Sequence, residues 1–243
     1  MAIAVGAFLN AIGILIGALF GLLLRKPLSL RTQVFFRSTL GAATVFFGLR
    51  LVWLNVNGTF LSCLKQLFIV LLAVTLGNLA GKLLHLQKIS NRAGRYAALL
   101  IGNAQKNRAQ NSADGLNACA ILFCAAPLGI IGAVADGLSG FFWLLAVKAV
   151  MDGLAMASFV KMLRWPAALS AFPVFLVFGV ITFACQFYAK SFFDPHGLTS
   201  SINAAAGFIA CAVALVIFEV RKVELANYLP ALAIAPLLAW LLK

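Results

Sequence analysis

Lys148 and Asp152 are opposite charges four residues apart inside a long apolar run, and no other pair in the sequence is better placed to do chemistry. That spacing puts an ammonium and a carboxylate on one helix face, where they can pair. A charge near the middle of a bilayer costs about 2.5 to 3.5 kcal/mol on insertion scales, so it is seldom there without a partner or an aqueous cavity. An ionisable residue in a membrane segment is by default a functional candidate. The pair is then either a sealed structural bridge or a switch that a charged solute or a proton opens. A helix beginning near Leu138 places Lys148 about ten residues in, close to mid-membrane.

A second cluster, Asp136-Gly137-Leu138-Ser139-Gly140, reads as a tight turn or helix start, with Asp136 favourable at a helix N-terminus. Its Gly137-Leu138-Ser139-Gly140 string also has the G-x-S-G form of rhomboid intramembrane serine proteases. That chemistry needs a general base for the serine proton, and neither His85 nor His196 falls inside an expected span. His85 has no His, Cys or carboxylate nearby for a metal site. The cysteines (Cys63, Cys119, Cys124, Cys185, Cys211) are odd in number and all lie in apolar runs, so they read as small buried hydrophobes. No metal or cofactor is expected. Asn10 and Asn78 lie in glycine-rich helices, and Asn227 lies near Pro230 and Pro236. With Lys148, Asp152, Asp136 and Ser139 they complete the polar candidates for a solute or ion path.

The elements that hold these residues must be membrane helices. Of 243 residues 63% are hydrophobic and 10% charged, whereas a soluble domain carries about 25% charged residues. Runs of 18 or more apolar residues are long enough to cross the roughly 30 Å hydrocarbon core as helices, and the strand alternative lacks period-2 alternation. The fold class is all-α: one polytopic transmembrane domain over residues 1–243. Eight spans are expected: Ile3 to Leu24, Ser38 to Leu54, Leu61 to Leu84, Leu116 to Val134, Leu138 to Val160, Ala167 to Tyr188, Ile202 to Val220 and Leu225 to Leu242. The second is the shortest and carries Arg50, as a tilted or re-entrant element would. An apolar run follows Met1 without a basic segment, so a cleaved signal peptide is not expected.

The net charge of +13 is distributed as in an oriented membrane protein and not as in a nucleic-acid binder. Fourteen basic residues fall on one set of loops: Arg25, Lys26, Arg31, Arg37, Lys82, Lys88, Arg92, Arg95, Lys106, Arg108, Lys161, Arg164, Arg221 and Lys222. Four fall on the other: Arg50, Lys65, Lys190 and Lys243. The positive-inside rule makes the first set cytoplasmic and puts both termini outside. The basic connection from 85 to 117 opens with an amphipathic pattern, Arg92, Arg95, Tyr96, Leu99 and Leu100, suited to anionic headgroups. The polar stretch Gly102 to Asp114 reads as a flexible linker.

Two patterns concern packing. Gly13, Gly17 and Gly21 form a stripe on the first helix with Asn10, and Gly77 and Gly81 flank Asn78 on the third. Glycines four apart let helix backbones approach closely, within the chain or in a homo-oligomer. Leu40 to Leu49 also echoes Ala206 to Leu215, which would relate spans one to three to spans six to eight as an inverted repeat, a plan common in secondary transporters. Pro127, Pro166, Pro173, Pro230 and Pro236 interrupt spans and either free backbone carbonyls for a site or kink helices for packing.

Several of these residues together resemble the bacterial YqgA/YdfK-like inner-membrane family. They are the helix around Asn10, Phe123-Cys124 through Gly140, Lys148 with Asp152-Gly153, Ser170 with Pro173, Asn227 to Leu232, and Ala235-Pro236. The resemblance spans essentially the whole chain and implies a bacterial cytoplasmic membrane, with no established activity to carry over. Members often have a glutamine in the sixth helix soon after the proline, where this chain reads Phe175 to Gly179. The expected function is a transporter or channel-like permease for a small solute or ion, not an enzyme. The alternatives are an intramembrane hydrolase centred on Ser139 and a non-catalytic scaffold.

Overall fold

The computed structural model describes residues 4–23, 29–106 and 112–242. Arg25, Lys26, Arg108 and Lys243, counted in the charge asymmetry, lie outside the described residues. The described chain is helical throughout: α1 (Val5–Leu23), α2 (Leu30–Asn55), α3 (Phe60–Leu83), α4 (Leu86–Lys106), α5 (Ser112–Cys124), α6 (Pro127–Ser139), α7 (Trp143–Leu163), α8 (Ala171–Ala184), the short α9 (Lys190–Phe193), α10 (Thr199–Ile217) and α11 (Ala231–Leu241). A 3₁₀ turn, Trp165–Ser170, leads into α8. A π turn, Cys185–Ala189, leads out of it.

Six helical stretches are long and apolar enough to cross a bilayer, seven if the bent pair α5–α6 counts as one, and Leu225–Leu241 is a shorter apolar helix. Their outward faces are apolar to a degree water would not tolerate: Phe60 is 83% exposed and Trp53 81%. This is a membrane protein. Trp53, Trp143 and Trp240 stand near helix ends on one face of the bundle, and Trp165 on the other, as aromatic belts do.

Four expectations are corrected. The second span is no short re-entrant element but the 26-residue α2, because Ser29 caps a helix that begins eight residues before Ser38. The fourth span is broken: α5 and α6 meet at an angle of 61° about Ala125 and Ala126, with Pro127 starting the new helix. The region 85–117 is not a loop, since α4 covers Leu86–Lys106 and packs Ala97 and Leu100 against Ala118 of α5. Of the expected linker only residues 107–111 lie outside the described residues. Last, α6 runs on to Ser139 and ends at Gly140, whose φ of 70° is the left-handed conformation glycine adopts freely. α7 therefore starts at Trp143, not near Leu138.

Glycine sets how close the helices come. Gly13, Gly17 and Gly21 lie on Ala149, Gly153 and Ala157, and a Cβ on Gly17 would fall 2.0 Å from the Gly153 carbonyl oxygen. Both helices advance together in this register, so α1 and α7 are parallel. Three crossings between them (α2, α3 and bent α5–α6) give the same result. Gly77 meets Ala231 and Gly81 meets Asn227, so α3 and α11 are antiparallel. Both glycine stripes meet another helix of the same chain.

The inverted echo has a structural counterpart. Cys211 touches the carbonyl of Val45, its own counterpart in the echo, at a separation of 166 residues. The same shift takes Val5, the start of α1, to Ala171, the start of α8. Around Val45 and Cys211, Gly41 meets the Phe218 ring and Gly207 meets Val52, contacts that the shift exchanges. The α3–α11 register, continued through Ala73 and Ala235, has its self-related level at Leu71 and Leu237, again one shift apart. Val45 lies about 15 Å below the end of α2 and Leu71 about 16 Å below the start of α3, at 1.5 Å per residue. Two crossings thus place the same two-fold relation at one depth.

Candidate functional site

The site is assembled where the break in α5–α6 faces α7. Lys148 Nζ donates to Asp152 Oδ2 at 2.5 Å, and both residues are buried, at 2% and 7% exposure. The ammonium also lies 5.5 Å from the Phe178 ring centre and 5.9 Å from that of Phe123, within reach of cation–π attraction. Room for the lysine comes from Gly129, where a Cβ would fall 2.7 Å from Lys148 Cε and 2.2 Å from the Phe178 ring. Asn10, fully buried on α1, adjoins the Asp152 carboxylate. Neither its amide oxygen nor its nitrogen has a hydrogen-bond partner among the described residues.

With α7 beginning at Trp143, Lys148 stands about 8 Å from one end of the helix and about 22 Å from the other, at 1.5 Å per residue. The longer distance is toward Lys161 and Arg164, the basic face. A cavity of about 540 Å³ nevertheless reaches the pair from that side. Its wall begins at Gln33, Arg37 and Glu219 and passes the unwound corner, Ala126 and Pro127, before touching Lys148 and Asp152. An Arg37–Glu219 ion pair stands at its rim. The charges are therefore the floor of a cavity that runs past the middle of α7. The first turn of α6, in which Pro127 has no N–H and Gly129 donates to Ala126 O at 3.0 Å, borders the same space.

The other candidates have different surroundings. Asp136 sits in the last turn of α6, and its Oδ2 accepts the Gly6 N–H at 3.0 Å. It caps α1 across the bundle, so a helix N-terminus is its partner, though not that of its own helix. Ser139 is exposed at the end of α6 and donates its hydroxyl to Ala135 O at 2.8 Å. Asn227 accepts the Gln87 N–H at 3.0 Å and donates to Glu224, which ties the last span to the start of α4. Asn78 is half-buried beside Gly77, with its Oδ1 unpartnered among the described residues. Only Asn10 joins Lys148 and Asp152.

Phe123, Phe178 and Gly129 were not singled out as site residues in the sequence. Pro127-Leu128-Gly129 carried the one available signal, a helix start followed by a missing side chain. Asn203 was also missed: it is buried on α10, and its Nδ2 donates to Asn55 Oδ1 at 3.2 Å while its own Oδ1 has no partner among the described residues. No group of three or more His, Cys, Asp or Glu that could hold a metal occurs among the described residues.

The chain is 28% identical over 232 residues to "Uncharacterized protein YqgA" of Escherichia coli (strain K12), covering 95% of this chain and 94% of that one. It is 25% identical over 237 residues to "Uncharacterized membrane protein YdfK" of Bacillus subtilis (strain 168), covering 98% and 96%. No solved structure matches it. A family model described as "Protein of unknown function (DUF554)" matches residues 5–240, the whole bundle from α1 to α11, and the chain belongs to that family.

Proposed function

We propose that this protein is a permease for a small solute or ion, with Lys148 and Asp152 as the pair that the solute opens. One observation carries this: a buried ion pair forms the floor of a cavity that enters from the basic face and stops about 8 Å from the opposite end of α7. A purely structural bridge has no need of a cavity, and intramembrane charges at such positions mark solute and proton pathways. The broken helix bordering the cavity is the second support, because half-helix ends line the sites of many transporters. By the positive-inside rule the basic face is cytoplasmic, the cavity opens inward, and both termini are outside a bacterial inner membrane.

At rest the ammonium and carboxylate neutralise each other. A charged solute that reaches the floor competes for one partner, and separation of the pair gives a second state. The test is flux in proteoliposomes, screened over a panel of small organic anions, cations and amino acids. The folded double variant Lys148→Met with Asp152→Asn is expected to lose any flux the parent shows. A solute moved equally by both proteins would reduce the pair to a structural bridge.

A further inference from the structure

A second cavity, of about 340 Å³, lies at the opposite end of α2 and α10, between the end of α2, the first half of α3 and the start of α10. Its polar wall includes Asn55, Ser62, Lys65, Gln66, Ser200 and Ser201. No aspartate or glutamate lines it, and Lys65 makes no ion pair among the described residues. We propose that this cavity is a second solute site, the far-face mouth of the same path, and that it receives small anions. This rests on the permease reading of the Lys148–Asp152 cavity.

The two cavities lie at opposite ends of α2 and α10, on either side of their crossing. The shift of 166 residues seen at Val45 and Cys211 carries Arg37, on the rim of the basic-face cavity, to Asn203. Asn203 is fully buried behind the far-face cavity with an unpartnered Oδ1. A buried acceptor without a partner is costly, and it is explained if a second state or a ligand satisfies it. Between the cavities α2 and α10 touch backbone to backbone, with a Cβ on Gly207 falling 2.5 Å from the Gly48 carbonyl oxygen. That crossing is a seal and also lies on the two-fold relation.

The ligand's charge follows from the wall. The far face carries few basic residues, yet one of them, Lys65, lines the cavity beside the hydroxyls of Ser62, Ser200 and Ser201. Lys65 is exposed, and an ammonium in a wall that has no carboxylate among the described residues attracts an anion and repels a cation.

Thiol chemistry tests both parts. Ser200→Cys, Ser201→Cys and, for the basic-face cavity, Ser158→Cys are each made in a cysteine-free chain and studied in right-side-out and everted vesicles. The probes are sulfonatoethyl methanethiosulfonate, an anion, and trimethylammonium-ethyl methanethiosulfonate, a cation of similar size. Ser201→Cys, or Ser200→Cys if the former does not fold, is expected to react from the face opposite to Ser158→Cys. It should favour the anionic reagent by about tenfold over the ratio for a free thiol, and Lys65→Gln should erase that preference. Reaction from the same face as Ser158→Cys, failure of both serine positions to react, a preference for the cation, or a preference indifferent to Lys65→Gln would each overturn the proposal. None of these outcomes concerns flux through Lys148 and Asp152, whose failure would be seen only in proteoliposomes.

Discussion

The two faces of α7 do opposite things. On one, Ala149, Gly153 and Ala157 lie close against the glycines of α1, without a charge. On the other, one residue from Ala149 and one from Gly153, Lys148 and Asp152 are brought to the floor of a cavity. The first face fixes α7 so that the second can hold an ion pair in one geometry. In lipid, helices gain nothing from hydrophobic exclusion, so close small-residue contact is what supplies the attraction. The charged face spends stability that the glycine face provides.

If this division is right, the glycine face is where substitution does the most harm. Gly17→Leu puts a branched side chain where even a Cβ lies 2.0 Å from the Gly153 carbonyl oxygen. Relief requires the two backbones to separate along the whole contact, at a cost above about 3 kcal/mol. The expected result is loss of monodisperse protein on size exclusion in detergent, with Gly153→Leu behaving alike. A Gly17→Leu variant as well folded as the parent would show that the face is loose.

The ion pair comes next. Lys148→Met leaves the Asp152 carboxylate buried without a counter-charge, and breaking a buried pair in this way costs about 3 to 5 kcal/mol. Adding Asp152→Asn removes the second charge, so the double variant is expected to melt well above the single one. Thermal melting of both in the same detergent decides it. Equal losses would mean that water already solvates the carboxylate through the cavity.

Asp136 ranks third. Its carboxylate caps the α1 amide of Gly6 from another helix, and Asp136→Ala is expected to cost about 1 to 2 kcal/mol, in the range of a lost N-cap. Asp136→Asn keeps an acceptor and should recover most of that in the same melting measurement. No recovery would mean that the negative charge, not the acceptor, holds the end of α1.

The glycine face and the pair were legible in the sequence because both depend on spacing within one helix. Gly13, Gly17 and Gly21 repeat every four residues, and so do Lys148 and Asp152. The depth of the pair was not legible. Leu138 and Ser139 continue the apolar run into Phe141 and Trp143, so hydropathy runs straight through the corner between α6 and α7, and only the left-handed Gly140 marks it. The break at Ala125 and Ala126 showed in the sequence only as Pro127 interrupting a span, and its 61° angle was hidden for a related reason. Proline in the first turn of a helix leaves the surrounding apolar pattern unchanged, and a bend between two apolar helices alters no residue type. α4 was legible only as the amphipathic pattern from Arg92 to Leu100 within an expected loop, because Ala97 and Ala104 on its inward face are too small to stand out among Lys88, Arg92 and Arg95. The inverted relation was the converse case, faint in residue type yet regular in spacing, since one shift survives in both crossings while the side chains have diverged.

The smallest expected effect is at the rim, where the comparison can be sharpened. Arg37 and Glu219 form an ion pair like the one on the floor, but the Glu219 side chain is 70% exposed. Solvent screens such a pair, and exposed pairs contribute about 0 to 1 kcal/mol. Arg37→Gln should therefore melt within about 1 kcal/mol of the parent, far from the loss expected of Lys148→Met. Glu219 has a second property, a φ of 58° just beyond the end of α10, where its N–H bonds to Val216 and a glycine is the usual residue. Glu219→Gly gives up the rim pair but relieves a left-handed backbone that costs a side-chain-bearing residue about 1 kcal/mol, so the two changes oppose each other. It should melt no lower than Arg37→Gln, although both lack the same ion pair. If Arg37→Gln instead falls as far as Lys148→Met, the rim is as desolvated as the floor. The cavity would then be closed at both ends, and the contrast between an uncharged glycine face and a cavity-lining charged face on α7 would fail.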